Sequence, residues 1–217
     1  MATPPQLIED CRQRYNAEGD KFFSDQELFD LVYDASLELA TETECIERVY
    51  SLTTTAGTRE YSFPDLAYKV HRIQWKGERL DPIDFMQDDF HTGNDFNTTE
   101  QGDPRYYAIY NYVLYLRPTP DAAETLKIFT VDFPDTVSNT STLDLPRHYH
   151  SYLKDYVLQA MFAKDGNQNM ASYHRGLWEN AVTKVKRVEM KRKISDQYPV
   201  VKMQEQMPIH DVDHIYG

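Results

Sequence analysis

Cysteine and glycine are scarce in this chain, and that scarcity removes several kinds of chemistry. Cys11 and Cys45 are too few and too far apart for a zinc knuckle or a disulfide framework, and they fit a reducing compartment as buried small hydrophobes. The eight glycines are scattered, none in the GxGxxG or GxxxxGK-S/T spacing that cradles phosphates. No serine occupies a GxSxG elbow, and neither cysteine has a histidine partner close in sequence. No apolar run approaches the roughly 18 residues of a membrane span. The opening MATPPQLIEDC lacks the basic and apolar regions of a secretory signal. Positive charge is also short. The net charge is -12, so the body repels a nucleic-acid backbone and tight duplex binding is not expected.

What is present is the composition of a soluble globular protein of one large or two small domains: 217 residues, 41% hydrophobic and 27% charged. Sixteen tyrosines and ten phenylalanines are many for this length, and such aromatics favour protein interfaces. The charge is uneven. Residues 1–45 carry eleven acids against Arg12, Arg14 and Lys21, whereas Lys184, Lys186, Arg187, Lys191, Arg192 and Lys193 crowd one stretch with Glu189 alone opposing them. That basic stripe is a solvated helix end favouring the negative dipole terminus, or a docking surface for an acidic partner.

Two helices open the chain. Thr3-Pro-Pro-Gln6 is a capping box with Pro4 at the first helical position, and Leu7, Cys11 and Tyr15 mark one face. Ser24-Asp-Gln-Glu27 is a second box, with Phe23 and Leu28 as its staple, and Leu28, Leu31, Val32, Ala35 and Leu39 recur at helical spacing to about Thr43. From Ile46 the period becomes two. Strands are predicted at Ile46–Thr53, Arg59–Phe63, Val70–Trp75, Arg79–Ile83, Arg105–Tyr110, Val113–Arg117 and Thr125–Val131. Pro118-Thr-Pro-Asp121 should forbid strand continuation, and Asp84 to Asn97 should be a short helix or crossover. Helices return from Asp144 to Lys164, closed by Gly166, and from about Asn169 to Lys193 with Tyr173, Leu177, Trp178, Ala181, Val182, Val185 and Val188 inward. The fold class is therefore α+β: a helical bundle from both ends (1–45 and 143–194), an inserted antiparallel β-sandwich or barrel (46–142), and an extended C-terminal arm (195–217). The arm has no period and cannot by itself bury enough surface to offset its ordering entropy.

The candidate chemistry is thin. His148 and His150 stand two apart on a helix and point to different faces, so they do not share a metal and read as surface or helix-start residues. His210, Asp211, Asp213 and His214 would put two imidazoles on one helical face, the pattern of a metal-dependent hydrolase, but Pro208 and aperiodic flanks oppose a helix there. Tyr106, Tyr107, Tyr110, Tyr112 and Tyr115 lack interleaved lysines and read better as a packed rim than as a base-stacking platform. No catalytic residue, metal or cofactor is assigned.

TTTAGTREYSFP (Thr53–Pro64, counting the first threonine), VHRIQWKGERLDPID (Val70–Asp84), GDPRYYAIYNYVLYLRPTPDAAETLKI (Gly102–Ile128) and LPRHYHSYLKDYVLQAMFAKDGN (Leu145–Asn167) follow the two capped helices. In that order they resemble the head-to-tail adaptor (connector) proteins of tailed bacteriophages, over most of residues 1–194. The resemblance implies a non-enzymatic virion protein, present in the host cytoplasm during assembly. It implies a ring, usually dodecameric, between the portal and the tail or nozzle, with genomic DNA passing through its lumen unbound. It further implies a C-terminal arm that docks on the portal, here through Tyr198, Val200, Val201, Met203, Met207, Ile209, Ile215 and Tyr216. A tail-completion or nozzle-type phage protein is the nearest alternative.

Overall fold

The computed structural model describes residues 3–16, 22–85 and 100–197. The helix or crossover expected to end at Asn97 lies outside the described residues from residue 86 onward; of the arm expected at 195–217, residues 195–197 instead continue the last helix and the remainder lies outside the described residues.

The opening helices form where their caps place them. In α1 (Pro4–Tyr15) the Thr3 hydroxyl accepts from the Gln6 amide at 3.4 Å, and the Gln6 side chain accepts from the Thr3 amide at 3.1 Å. In α2 (Asp25–Thr43) the Ser24 hydroxyl accepts from the Glu27 amide at 3.2 Å, and Phe23 and Leu28 are buried as the staple requires. After a 3-10 stretch (Arg147–Tyr152) come α3 (Leu153–Lys164) and the long α4 (Gln168–Gln197). The 3-10 stretch replaces the first turns of the helix expected from Asp144. Gly166, at φ +82°, ends α3, and the Asn167 side chain caps α4 by accepting from the Met170 amide. One core joins these four helices, with Leu7, Val32, Leu39, Val157, Met161 and Trp178 at its centre.

Between α2 and the 3-10 stretch the described residues form nine strands: β1 (Glu47–Thr53), β2 (Glu60–Ser62), β3 (Ala67–Trp75), β4 (Glu78–Pro82), β5 (Gln101–Gly102), β6 (Tyr106–Tyr110), β7 (Val113–Arg117), β8 (Thr119–Pro120) and β9 (Thr125–Asp132). Seven form a curled, half-barrel sheet in the order β1-β9-β3-β4-β6-β7-β2, and β5 pairs with β8. Its concave side holds a second core that includes Ile73, Trp75, Leu80, Leu114, Leu126 and Ile128. The α+β class stands, but the sheet is mixed: β4 and β6 run parallel. A parallel neighbour needs a connection of a dozen residues or more, and the stretch from 83 to 105 supplies it. As expected, β7 stops at Arg117, before Pro118, but pairing resumes at once with a different neighbour. Thr119–Pro120 is a short strand, because the Thr119 amide donates to the Glu100 carbonyl at 3.0 Å and only Pro120 lacks a donor.

Candidate functional site

Where α2 ends, Glu44 adopts a left-handed conformation, φ 52°, and turns the chain into the sheet. Its carboxylate receives Lys69 of β3 at 2.6 Å and Lys193 of α4 at 3.0 Å. The hydrogen bond from Lys69, followed by that from Lys193, holds the Glu44 carboxyl below its ordinary range. Glu47 of β1 meets Arg192 at 3.0 Å, and Glu42 meets Lys186 at 3.1 Å. Glu189, 4% exposed, accepts from the Tyr149 hydroxyl at 2.6 Å and from Arg192 at 2.9 Å. Burial, then the bond to Glu189, pushes the Tyr149 hydroxyl well above its usual pKa. Three of the six basic residues, Lys186, Arg192 and Lys193, thus clamp α4 to α2 and β1 within the chain.

The other three face outward. Lys184, Arg187 and Lys191 border a shallow hollow of about 340 Å³ with Val188, and the Lys184 ammonium stands 5.8 Å from the Tyr152 ring. Tyr173, Leu177 and Val188, expected inward, are exposed instead, Tyr173 by 59%. The packed stripe of α4 is Ala171, Trp178, Ala181 and Val185, narrower than the apolar stripe in the sequence. Met170, Tyr173 and Leu177 therefore form an uncovered apolar strip on the same helix, N-terminal to the basic one. On α2, Asp30, Asp34, Glu38 and Glu42 are all exposed at four-residue spacing. Like charges so placed repel unless they find partners. Glu38 accepts from the Trp178 indole at 2.8 Å and Glu42 has Lys186.

Two buried clusters are structural in their bonding. Asp132, fully buried, accepts from the Tyr50 hydroxyl and from Thr130 Oγ1 at 2.5 Å, and Arg48 spans from it to Asp144. His150 is buried, not a surface residue, with its Nε2 at 2.8 Å from the Leu145 carbonyl. Among the tyrosines of the predicted rim, Tyr107 is buried while Tyr110 stacks on Phe85 with ring centres 4.9 Å apart. Among the described residues, no group of three or more His, Cys, Asp or Glu side chains could hold a metal, and no helix is long and apolar enough to cross a membrane. Tyr198, Val200, Val201, Met203, Met207, Ile209, Ile215 and Tyr216, and the His210, Asp211, Asp213 and His214 cluster, lie outside the described residues.

Sequence reasoning missed one surface. On the convex side of the sheet, Glu47, Arg48, His71, Arg72, Arg79 and Lys193 surround Phe129 in an open groove of about 680 Å³. The Arg72 guanidinium lies 4.0 Å from the centre of the Phe129 ring. Burial, and then Lys193, lowers the pKa of His71. The groove draws on β1, β3, β4, β9 and α4, so no local pattern announces it.

A protein-family model described as "SU10 adaptor protein" matches residues 3–201. No curated protein matches the chain.

Proposed function

The chain belongs to the SU10 adaptor protein family, and from that membership we propose that it is a non-enzymatic structural protein of a tailed-phage virion, the ring that joins portal to tail. Successive copies close the ring, dodecameric in this reading, by a heterologous contact in which one face of the molecule meets a different face of the next. The observation that carries this is the pair of unlike surfaces on the bundle. Acidic Asp30 and Asp34 line α2, while basic Lys184, Arg187 and Lys191, beside the apolar strip of Met170, Tyr173 and Leu177, line α4. Surfaces of opposite charge around an apolar strip fix register between copies as well as attracting them.

The net charge of -12 suits a lumen through which DNA slides without sticking. The arm, expected at 195–217 and counted from 198 because α4 includes Gln197, docks on the portal through Tyr198, Val200, Val201, Met203, Met207, Ile209, Ile215 and Tyr216. The sheet faces the next tail or nozzle protein.

Mass photometry and electron microscopy of the purified protein, with and without portal, test the proposal. Reversing Lys184, Arg187 and Lys191 to Glu should abolish ring closure, and adding Asp30→Lys and Asp34→Lys should restore it. Rings that form undiminished with the reversed stripe, or portal capture unaffected by deletion of residues 198–217, would overturn the corresponding half of the proposal.

A further inference from the structure

The groove on the convex side of the sheet carries four cations (Arg48, Arg72, Arg79 and Lys193) and one acid, Glu47, in a chain that is acidic overall, and only part of its charge is satisfied in place. Arg48 is engaged with Asp132 and Asp144, and Lys193 with Glu44 and Glu47. Arg72 and Arg79 have no carboxylate partner among the described residues. They share one face of the sheet: the alternate residues Ile73 and Leu80 are buried in the concave core, and Arg79 lies opposite Gln74, two residues along β3 from Arg72. Strand geometry puts their Cα atoms roughly 8 Å apart. Beside them Phe129 and Val49, the latter 56% exposed, offer apolar contact.

An occupant of this groove needs two carboxylates at about that spacing, with apolar side chains flanking them. Asp211 and Asp213 are such a pair: in an extended segment, residues two apart point the same way, about 7 Å from one another. Ile209 and Ile215 continue the same face on either side. The segment also starts from the right place. Lys193 lines the groove itself, and the described part of α4 reaches Gln197, four residues further on. The thirteen residues from 198 to 210 span up to roughly 40 Å when extended, ample to return from the helix end. A phosphate backbone would meet the same two arginines, but the net charge of the whole chain opposes its approach.

We propose that the segment from Ile209 to Ile215 docks in the basic groove of its own chain, Asp211 and Asp213 pairing with Arg72 and Arg79. The inference does not depend on the portal reading, because it concerns two parts of one molecule. Where a larger partner also binds the tail, this contact withholds the tail until that partner displaces it, which sets an order of assembly.

The test uses the full-length chain carrying Val49→Cys and Ile215→Cys, treated at high dilution with a short bismaleimide and read by intact mass and peptide mapping. Cys11 and Cys45 are buried, with thiol pKa values raised by that burial, so they stay unlabelled. A 49-to-215 link within one chain is expected. Arg72→Glu with Arg79→Glu should lower its yield about tenfold, the change that two partly screened ion pairs produce together. Adding Asp211→Arg and Asp213→Arg should restore it. The proposal is overturned by absence of the link, by a yield indifferent to the charge reversal, or by links found only between copies, which would assign the groove to a neighbour's tail. Circular dichroism of the variants, all altered at exposed or tail positions, confirms that they fold. Portal capture by the same variants is a separate measurement, so failure here and failure of the portal reading are distinguishable.

Discussion

In the helical half, cations reach acids on other helices: Lys154 of α3 meets Asp10 of α1, Lys164 meets Glu27, Lys186 meets Glu42, and Arg12 meets Asp25 at 2.7 Å. In the sheet half, Arg72 and Arg79 reach no carboxylate among the described residues, and Arg72 settles over Phe129 instead. The bundle spends its charges holding its own helices in place, whereas the convex face of the sheet keeps charges that serve something added later. The more exposed of these pairs, Lys164 with Glu27 and Lys186 with Glu42, each contribute under about 1 kcal/mol. The bundle's strength therefore lies in its apolar core, and its ion pairs mainly choose which helix faces which.

Three experiments press on that difference. The largest effect should come from Trp178→Ala, which empties a buried site shared with Tyr156 and leaves Glu38 without its indole donor. A loss of about 3–5 kcal/mol is expected in urea unfolding followed by helical circular dichroism. Ile128→Ala in the other core should cost about 2–5 kcal/mol, and Trp75 fluorescence, read in a Trp178→Phe background, should register it before the helices respond. Simultaneous loss of both signals in both variants would show that the two cores unfold as one. Next comes Asp132→Ala at the seam between the halves. It leaves the Tyr50 hydroxyl without its acceptor, Thr130 Oγ1 with only the Arg48 carbonyl at 3.5 Å, and Arg48 with Asp144 alone, and should cost about 3 kcal/mol by the same denaturation assay. Asp132→Asn, which keeps an acceptor, should cost visibly less.

The smallest effect is a pH dependence. Glu44 has a carboxyl pKa below its ordinary value because Lys69 and Lys193 bond its ionised form. The group therefore stabilises the fold above its unfolded pKa, about 4.3, and that contribution fades as pH falls through the lower folded value. Thermal melts between pH 6 and pH 3 (a range set around that value, roughly) should show Glu44→Gln converging on the unaltered protein at the acidic end. Because both amines are partly exposed, the gap at neutral pH should stay under about 1 kcal/mol.

Local chemistry made much of this architecture legible. Thr3 and Ser24 announce their helices because a cap is satisfied within three residues, and Val113–Arg117 matches its strand because alternation and the turn at Asn111 are both local. Parallel pairing of β4 with β6 is set across a long connection, and nothing within either strand encodes it. The surplus of apolar residues on α4 was visible, but which of them pack was not. Trp178 and Val185 face the core while Tyr173 and Val188 do not, a choice made by where α2 and α3 lie. The stripe from Lys184 to Lys193 could be seen as one basic run, yet its division into three inward clamps and three outward cations depends on Glu42, Glu44 and Glu47, distant in the chain.

β1 and β9, through which the chain leaves the bundle and comes back to it, are direct neighbours, with Glu47 opposite Val131 and the Asp132 amide donating to the Ile46 carbonyl at 3.0 Å. The bundle accordingly sees a gap of about one interstrand spacing, near 4.8 Å, however much polypeptide is threaded between those two points. Lengthening or shortening the far rim changes what the sheet presents without stretching the helices apart, so the two halves are free to diverge at different rates, anchored at a common root.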